Sequence, residues 1–294
     1  MGIADSLSTG TFLLAAELHP PKGTNLDSLL DLAGRLKGRV DFLEIADNPE
    51  AVMRASALAT AARLAEEDGP PVALRTSCRD RNRLSLQGDL LGASMLDLAA
   101  VIFEVGRDPA FGDHPNARHA QDLDLLGLAE AAKALRNGKD LAGLELDGAF
   151  DLPVGAEIDF WAAEGEALDK AKQQARALAA QGIGFLRTSA VYDAGNFATR
   201  LAEFADLGLP VIASVSLLKS GGMARYINRN MLGDQVPKDV IKQIQKAPDK
   251  REASASIAAA TVKALKPHCA GVCLQPLGWD DLLPAVAASV AAEG

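Results

Sequence analysis

The sequence predicts an α/β chain folded as one (β/α)8 barrel of parallel strands, with residues 1–294 forming a single domain. Three observations predict it. Apolar runs of strand length recur eight times along the chain. Stretches rich in Ala and Leu, with apolar residues returning every three or four positions, lie between them. The first run leads into ELHPPKG, not into the GxGxxG loop that opens a doubly wound sheet, so eight strand–helix repeats close most economically as a barrel.

In chain order, TFLLAAEL (11–18) is the first strand, and NLDSLLDLAGRLK is a helix started by Asn25 and Asp27. VDFLEIA (40–46) is the second strand. PEAVMRASALATAARLAEE is read as one helix opening at Asn48, with Pro49 in its first turn. PVALRTS (71–77) runs into the polar cluster CRDRNR, followed by the helix LSLQGDLLGAS and the fourth strand AAVIFEV (99–105). LPVGAEIDF (152–160), GIGFLRTS (182–189), LPVIASVSLL (209–218) and CAGVCLQPL (269–277) complete the eight, with helices EALDKAKQQARALAAQ and REASASIAAATVKALK among them. Trp279, in LGWDDLLP, is expected to anchor the final helix by burying its indole.

At 294 residues, 48% hydrophobic and 23% charged, the chain can bury a large core. A net charge of −9 argues against a nucleic-acid surface and favours small molecules or protein partners. No apolar run approaches the roughly 18 residues of a membrane span, and MGIADSLSTG lacks the layout of a signal peptide, so a soluble cytoplasmic protein is expected. Cys78, Cys269 and Cys273 read as reduced, packed thiols, and four histidines with no ligand spacing predict no metal site.

In such a barrel chemistry sits at the carboxyl ends of the strands. The polar residues there are Glu17 and His19; Asp47 and Asn48; Arg75, Ser77 and Asp80; Arg107 and Asp108; Glu157 and Asp159; Arg187, Thr188 and Ser189; Ser216 and Lys219; and Gln275. A ring of both signs suits a charged or heteroaromatic ligand.

The blocks ELHPPKG, ADNPEAVMRAS, CRDRNRLSLQGDLLGAS, DPAFGDHPNA, NGKDLAGLEL, VYDAGNF, LLKSGGMARYINRNMLGDQVPKDVI and GVCLQPLGWDDLLP follow one another from residue 17 to 284. In that order they resemble the methylenetetrahydrofolate reductases, flavoprotein barrels that reduce methylenetetrahydrofolate to methyltetrahydrofolate. The resemblance implies Glu17 and Asp108 as catalytic residues. Glu17 would be the general acid, its burial expected to raise its pKa toward working pH. It implies flavin contacts, to FAD or to FMN, from Asp47, Asn48, Arg75, Ser77, Arg107 and Asp108, with Arg75 and Arg107 reaching phosphate. Substrate contacts would come from Glu17, Asp108, Ser189 and Leu218. The electron donor would be NAD(P)H or a partner electron-transfer subunit, and the protein a homo-oligomer or part of a hetero-complex.

The departures from the family pattern cluster at cofactor and substrate contacts. Arg75 stands where many members have histidine, Ser189 where they have glutamine, Leu178 where a lysine is expected, and Leu218 where an aromatic stacks. Arg107 intrudes into what is usually T-G-D-P. These changes leave three accounts open: a divergent reductase, a reductase dependent on an accessory subunit, or a folate-binding paralogue without flavin.

Overall fold

Eight parallel strands close on themselves in sequence order: β1 (Leu13–Leu18), β2 (Phe42–Ile45), β3 (Val72–Ser77), β4 (Ala100–Glu104), β5 (Val154–Glu157), β6 (Phe185–Ala190), β7 (Val211–Ser216) and β8 (Gly271–Gln275). The computed structural model describes residues 2–120, 122–161, 165–230 and 234–292. Residues 231–233, within the seventh of the motif blocks, lie outside the described residues. All eight apolar runs contain a strand, and the expected (β/α)8 barrel is the fold.

Helix α1 (Ile3–Thr9) precedes the barrel; α2 (Asp27–Leu36), α3 (Ala57–Ala65), α4 (Arg83–Met95), α5 (Leu125–Arg136), α6 (Glu166–Ala180), α7 (Ala194–Ala202), α8 (Gly221–Asn230), α9 (Lys238–Lys246), α10 (Lys250–Leu265) and α11 (Leu283–Ala291) surround it. Side-chain oxygens of Ser56, Asn82, Asp124, Asp193 and Asp249 accept from first-turn amides and start α3, α4, α5, α7 and α10. The expected helix from Asn48 is corrected. Pro49–Ala51 makes only a 3-10 turn, and α3 begins at Ala57. Asn48, Glu50 and Ala51 have φ of 45°, 58° and 56°, which no α-helix admits. The Asn48 side-chain oxygen accepts from Arg54 N at 2.9 Å and caps nothing.

Alternation along each strand divides the residues into two sets. Leu14, Ala16, Leu18, Leu43, Ile45, Leu74, Val101 and Phe103 join the shell between barrel and helices. The other phase faces the lumen, where Leu13, Ala15, Phe42, Ala73, Ala100, Ile102, Phe185, Ile212 and Cys273 form a separate cluster closed below by Ile3 of α1. Gly155 makes room for the Phe185 ring, since a Cβ there would lie 2.3 Å from it. Continued toward the carboxyl ends, the same phase carries Glu17, Glu44, Arg75, Glu104, Glu157, Arg187, Ser214 and Gln275. The lumen thus turns from apolar to ionic along its axis.

Closure depends on the β1–β8 seam, where Leu13 pairs with Gly271. A Cβ at Gly271 would sit 2.6 Å from the Leu13 carbonyl oxygen, a backbone atom that cannot swing away. Gly271→Ala is expected to cost roughly 1–3 kcal/mol through displacement of the seam. Urea unfolding measures it, and an unchanged midpoint would show that the seam moves freely.

Candidate active site

Six neighbouring strands bring charged side chains to one point in the lumen. Glu17 lies opposite Glu44 in the β1–β2 register, Ser77 opposite Glu104 between β3 and β4, and Glu157 opposite Arg187 between β5 and β6. Arg75 reaches Glu17 at 2.7 Å and Glu157 at 2.6 Å, and also pairs with Glu104. Arg187, wholly buried, bonds Glu44 at 2.7 Å, Glu17 at 3.2 Å and the Ser214 hydroxyl at 2.8 Å, with Glu157 at 3.4 Å. Gln275 Nε2 donates to Glu17 at 3.0 Å, and His19 Nε2 meets the other Glu17 oxygen at 2.9 Å. The result is a continuous lattice of four carboxylates around two guanidiniums.

The lattice gives its carboxyls opposite protonation behaviour. Burial by itself would raise the Glu17 pKa, but the His19 hydrogen bond and the charges of Arg75, His19 and Arg187 hold it well below the usual carboxylate range. The expectation of a raised pKa at Glu17 is therefore reversed. Its burial follows from the apolar run and prolines around it, whereas the two guanidiniums that stabilise its charge come from β3 and β6. Glu104 behaves in the opposite sense. Burial, opposed by Arg75 and reinforced by Glu157, Asp47 and Glu17, pushes it up to about 7.

A bulge shapes the neighbouring strand end. Between Arg187 and Ala190, β6 slips relative to β7. Thr188 Oγ1 accepts from Ser214 N at 3.2 Å and donates to Ser189 O at 2.6 Å, while the Ser214 hydroxyl donates to Thr188 O. Such bulges re-aim side chains beside sites. Here Ser189 Oγ is left buried with no hydrogen-bond partner.

The other residues expected at the site are spread along the rim. Asp47, buried, accepts from Ser77 N at 2.9 Å and pairs with Arg81, which also holds Asp89 at 2.7 Å. Asn48 lies within 3.4 Å of Asp80, and Ser77 Oγ accepts from Arg79 N at 3.1 Å. The CRDRNR cluster is consumed internally: Arg79 binds Asp80, Arg81 binds Asp47, and Arg83 binds Asp122. Asp108 is exposed and accepts from Ala110 N at 2.8 Å as the cap of a short turn, with His119 3.7 Å away. Arg107 pairs with Glu50 on the rim. Leu218 does not line the mouth; it is 1% exposed and packs with Ala224, Ile227, Val236 and Ile244 under α8 and α9. Glu44 and Glu104, central to the lattice, were not singled out from sequence, although each is a lone charge in an apolar strand run.

A flavin brings a phosphate group, and the cations of the lumen and of the CRDRNR cluster do not fit one. Arg75 is sunk in the lumen and paired with three carboxylates, with only its Nε left unpartnered. Arg79 and Arg81 are matched to Asp80 and Asp47, and Leu178, where a lysine was expected, is fully buried in the shell. Arg75 therefore faces carboxylates and is not left open to an incoming anion. Burial pushes the Cys78 thiol up to about 12 and the Cys269 thiol to about 11, so both stay protonated. Among the described residues no group of three or more His, Cys, Asp or Glu side chains is placed to hold a metal ion, and no helix is long and apolar enough to cross a membrane.

Comparison with known proteins decides the lineage. A family model described as methylenetetrahydrofolate reductase matches residues 2–273. The chain belongs to the methylenetetrahydrofolate reductase family. Among solved structures this family member resembles an uncharacterized protein from Clostridium thermocellum described as binding two copies of 5-methyl-5,6,7,8-tetrahydrofolic acid. The TM-score is 0.65 at 13% identity, over 96% of this chain and 94% of that one. An oxaloacetate acetylhydrolase (TM-score 0.54, 12% identity, 97% and 82% covered) and a 2,3-dimethylmalate lyase (0.54, 12%, 97% and 81%) share the barrel. No curated protein sequence matches.

Proposed function

We propose that this reductase-family barrel binds a folate-class pterin, methylenetetrahydrofolate, in its mouth and promotes opening of the one-carbon bridge on the way to methyltetrahydrofolate. The observation that carries this reading is the carboxylate excess in a single buried lattice: four glutamates against Arg75 and Arg187. A reduced pterin presents a row of N–H donors, which carboxylates accept, whereas a phosphate group would be repelled. Glu157, the most exposed of the four, and the unpartnered Ser189 Oγ supply acceptors on adjacent strands.

Bridge opening needs a proton on the departing nitrogen and leaves an iminium cation. Divergent pKa values divide these tasks, as they divide acid from stabiliser in other carboxylate pairs. Glu104, at about 7, retains a transferable proton near neutral pH, while Glu17, held ionised, faces the developing cation as counter-charge. Asp108, exposed at the rim, would assist in substrate docking rather than in proton transfer. The hydride that converts the iminium carbon to a methyl group comes in this reading from NAD(P)H or a partner electron-transfer subunit.

Purified protein is titrated calorimetrically with methyltetrahydrofolate, and separately incubated with FAD or FMN and desalted. Heat of folate binding together with a colourless desalted protein is the expected result. Absence of folate binding overturns the ligand, and retention of a yellow flavin overturns the flavin-free assignment.

A further inference from the structure

Above the lattice, three rim elements meet at Arg107. Its guanidinium lies 5.3 Å from the Phe111 ring centroid, pairs with Glu50 from the loop after β2, and lies near the Tyr226 hydroxyl on α8. The two aromatic rings are unusual in their exposure. Phe111 is 71% and Tyr226 54% exposed, whereas Phe42, Phe103, Phe150, Phe160, Phe185, Phe197 and Phe204 are all buried. Aromatic faces left bare beside a guanidinium at a barrel mouth are suited to stacking a planar ring.

The ion pair beneath them is built to be exchanged. Arg75 and Arg187 each hold several buried carboxylates, but Arg107 has Glu50, which is half exposed, as its carboxylate partner among the described residues. Exposed pairs of this kind contribute little to stability. Yet Glu50 is held in place by strained backbone, the left-handed run at Asn48, Glu50 and Ala51. That run is wedged against Gly112, where a Cβ would come within 1.9 Å of the Ala51 carbonyl oxygen. Strain of this sort persists where the surroundings over-determine it, and it clusters at ligand sites.

Resting on the pterin reading above, we infer that Arg107 anchors the carboxylate of the ligand's glutamyl tail, that Phe111 and Tyr226 flank the aryl ring joining tail to pterin, and that Glu50 occupies the anion position until the ligand arrives. The tail carboxylate replaces Glu50 on the guanidinium, a planar match that arginine makes in bidentate fashion. Arg107 is thus a specificity determinant at the rim, separate from the proton chemistry below.

Binding of tetrahydrofolate and of tetrahydropteroate as its uncharged carboxamide, which lacks the glutamate and every carboxylate, is measured for the wild type and for Arg107→Ala and Glu50→Gln. The wild type is expected to prefer the tail-bearing ligand by about tenfold or more, the scale of a lost hydrogen bond to a charged group. Arg107→Ala abolishes the preference by weakening tetrahydrofolate alone. Glu50→Gln strengthens tetrahydrofolate binding and leaves binding of the carboxamide unchanged, an effect in the direction opposite to that of a merely structural contact. Equal wild-type affinities, or an Arg107→Ala loss shared by both ligands, overturn the tail site while leaving the pterin reading intact. If neither ligand binds the wild type, both fall.

Discussion

Arg187→Met is expected to destabilise the protein by about 3–5 kcal/mol, because it removes one partner of a buried ion pair and strands the others. Glu44, with no exposure to solvent, has its cation in Arg187 at 2.7 Å. Glu17 and Glu157 lose a second contact, and Ser214 Oγ loses a donor. Methionine fills much of the arginine stem's volume, so the loss measures charge and not cavity. The double variant Arg187→Met with Glu44→Gln is expected to recover a large part of the cost, since neither a bare cation nor a bare anion is then buried. Urea unfolding of the four proteins completes a double-mutant cycle. A single-variant loss below about 1 kcal/mol, within the range of a surface pair, would show that Glu44 is relieved by solvent.

Why such a lattice was only half legible follows from the distances in sequence that it spans. The strands were readable because parallel strands are buried on both faces and appear as near-continuous apolar runs. Within those runs, lone charges at one alternation phase were the available signal: Glu44 after Phe42, Glu104 after Ile102, Arg187 after Phe185. Their partners were not readable, since Arg187 finds Glu44 143 residues away and Gln275 finds Glu17 258 residues away, pairings fixed only by closure of the barrel. The same gap explains Glu17. Its burial could be inferred from apolar neighbours and prolines, but the sign of its pKa shift depends on cations from two other strands. At Asn48, an ordinary start signal was overridden by local backbone. The Asn-Pro pair enters a left-handed turn braced against Gly112, and the helix waits for Ser56. Leu218 was expected from resemblance at a position that α8 and α9 cover.

Glu104→Gln separates stability from chemistry by moving them in opposite directions. The Glu104 carboxyl is raised from its ordinary 4.5 to about 7 in the fold. Below 4.5 it is protonated in both folded and unfolded chains and contributes nothing. As pH climbs from there toward 7 the unfolded chain releases the proton while the folded chain keeps it, so stability falls. Above 7 the penalty is complete at about 3 kcal/mol. Glutamine cannot ionise and escapes this penalty, so the variant is expected to be more stable than wild type at pH 8 by an amount of that order, with the difference vanishing near pH 4. Glu17 works in the other sense. Its pKa is depressed in the fold, so its contribution is present above the ordinary carboxylate range and fades as pH falls below it, in both proteins alike. The pH dependence of the difference between the two proteins therefore reports Glu104. In the proposed reaction the same substitution removes the proton donor, and turnover of methylenetetrahydrofolate is expected to fall by about 10²-fold or more, the scale of lost general-acid catalysis. Denaturant unfolding across pH, with turnover assayed on the same preparations, measures both. A variant no more stable at pH 8 than at pH 4, relative to wild type, would mean that Glu104 is ionised in the fold and is not the proton donor.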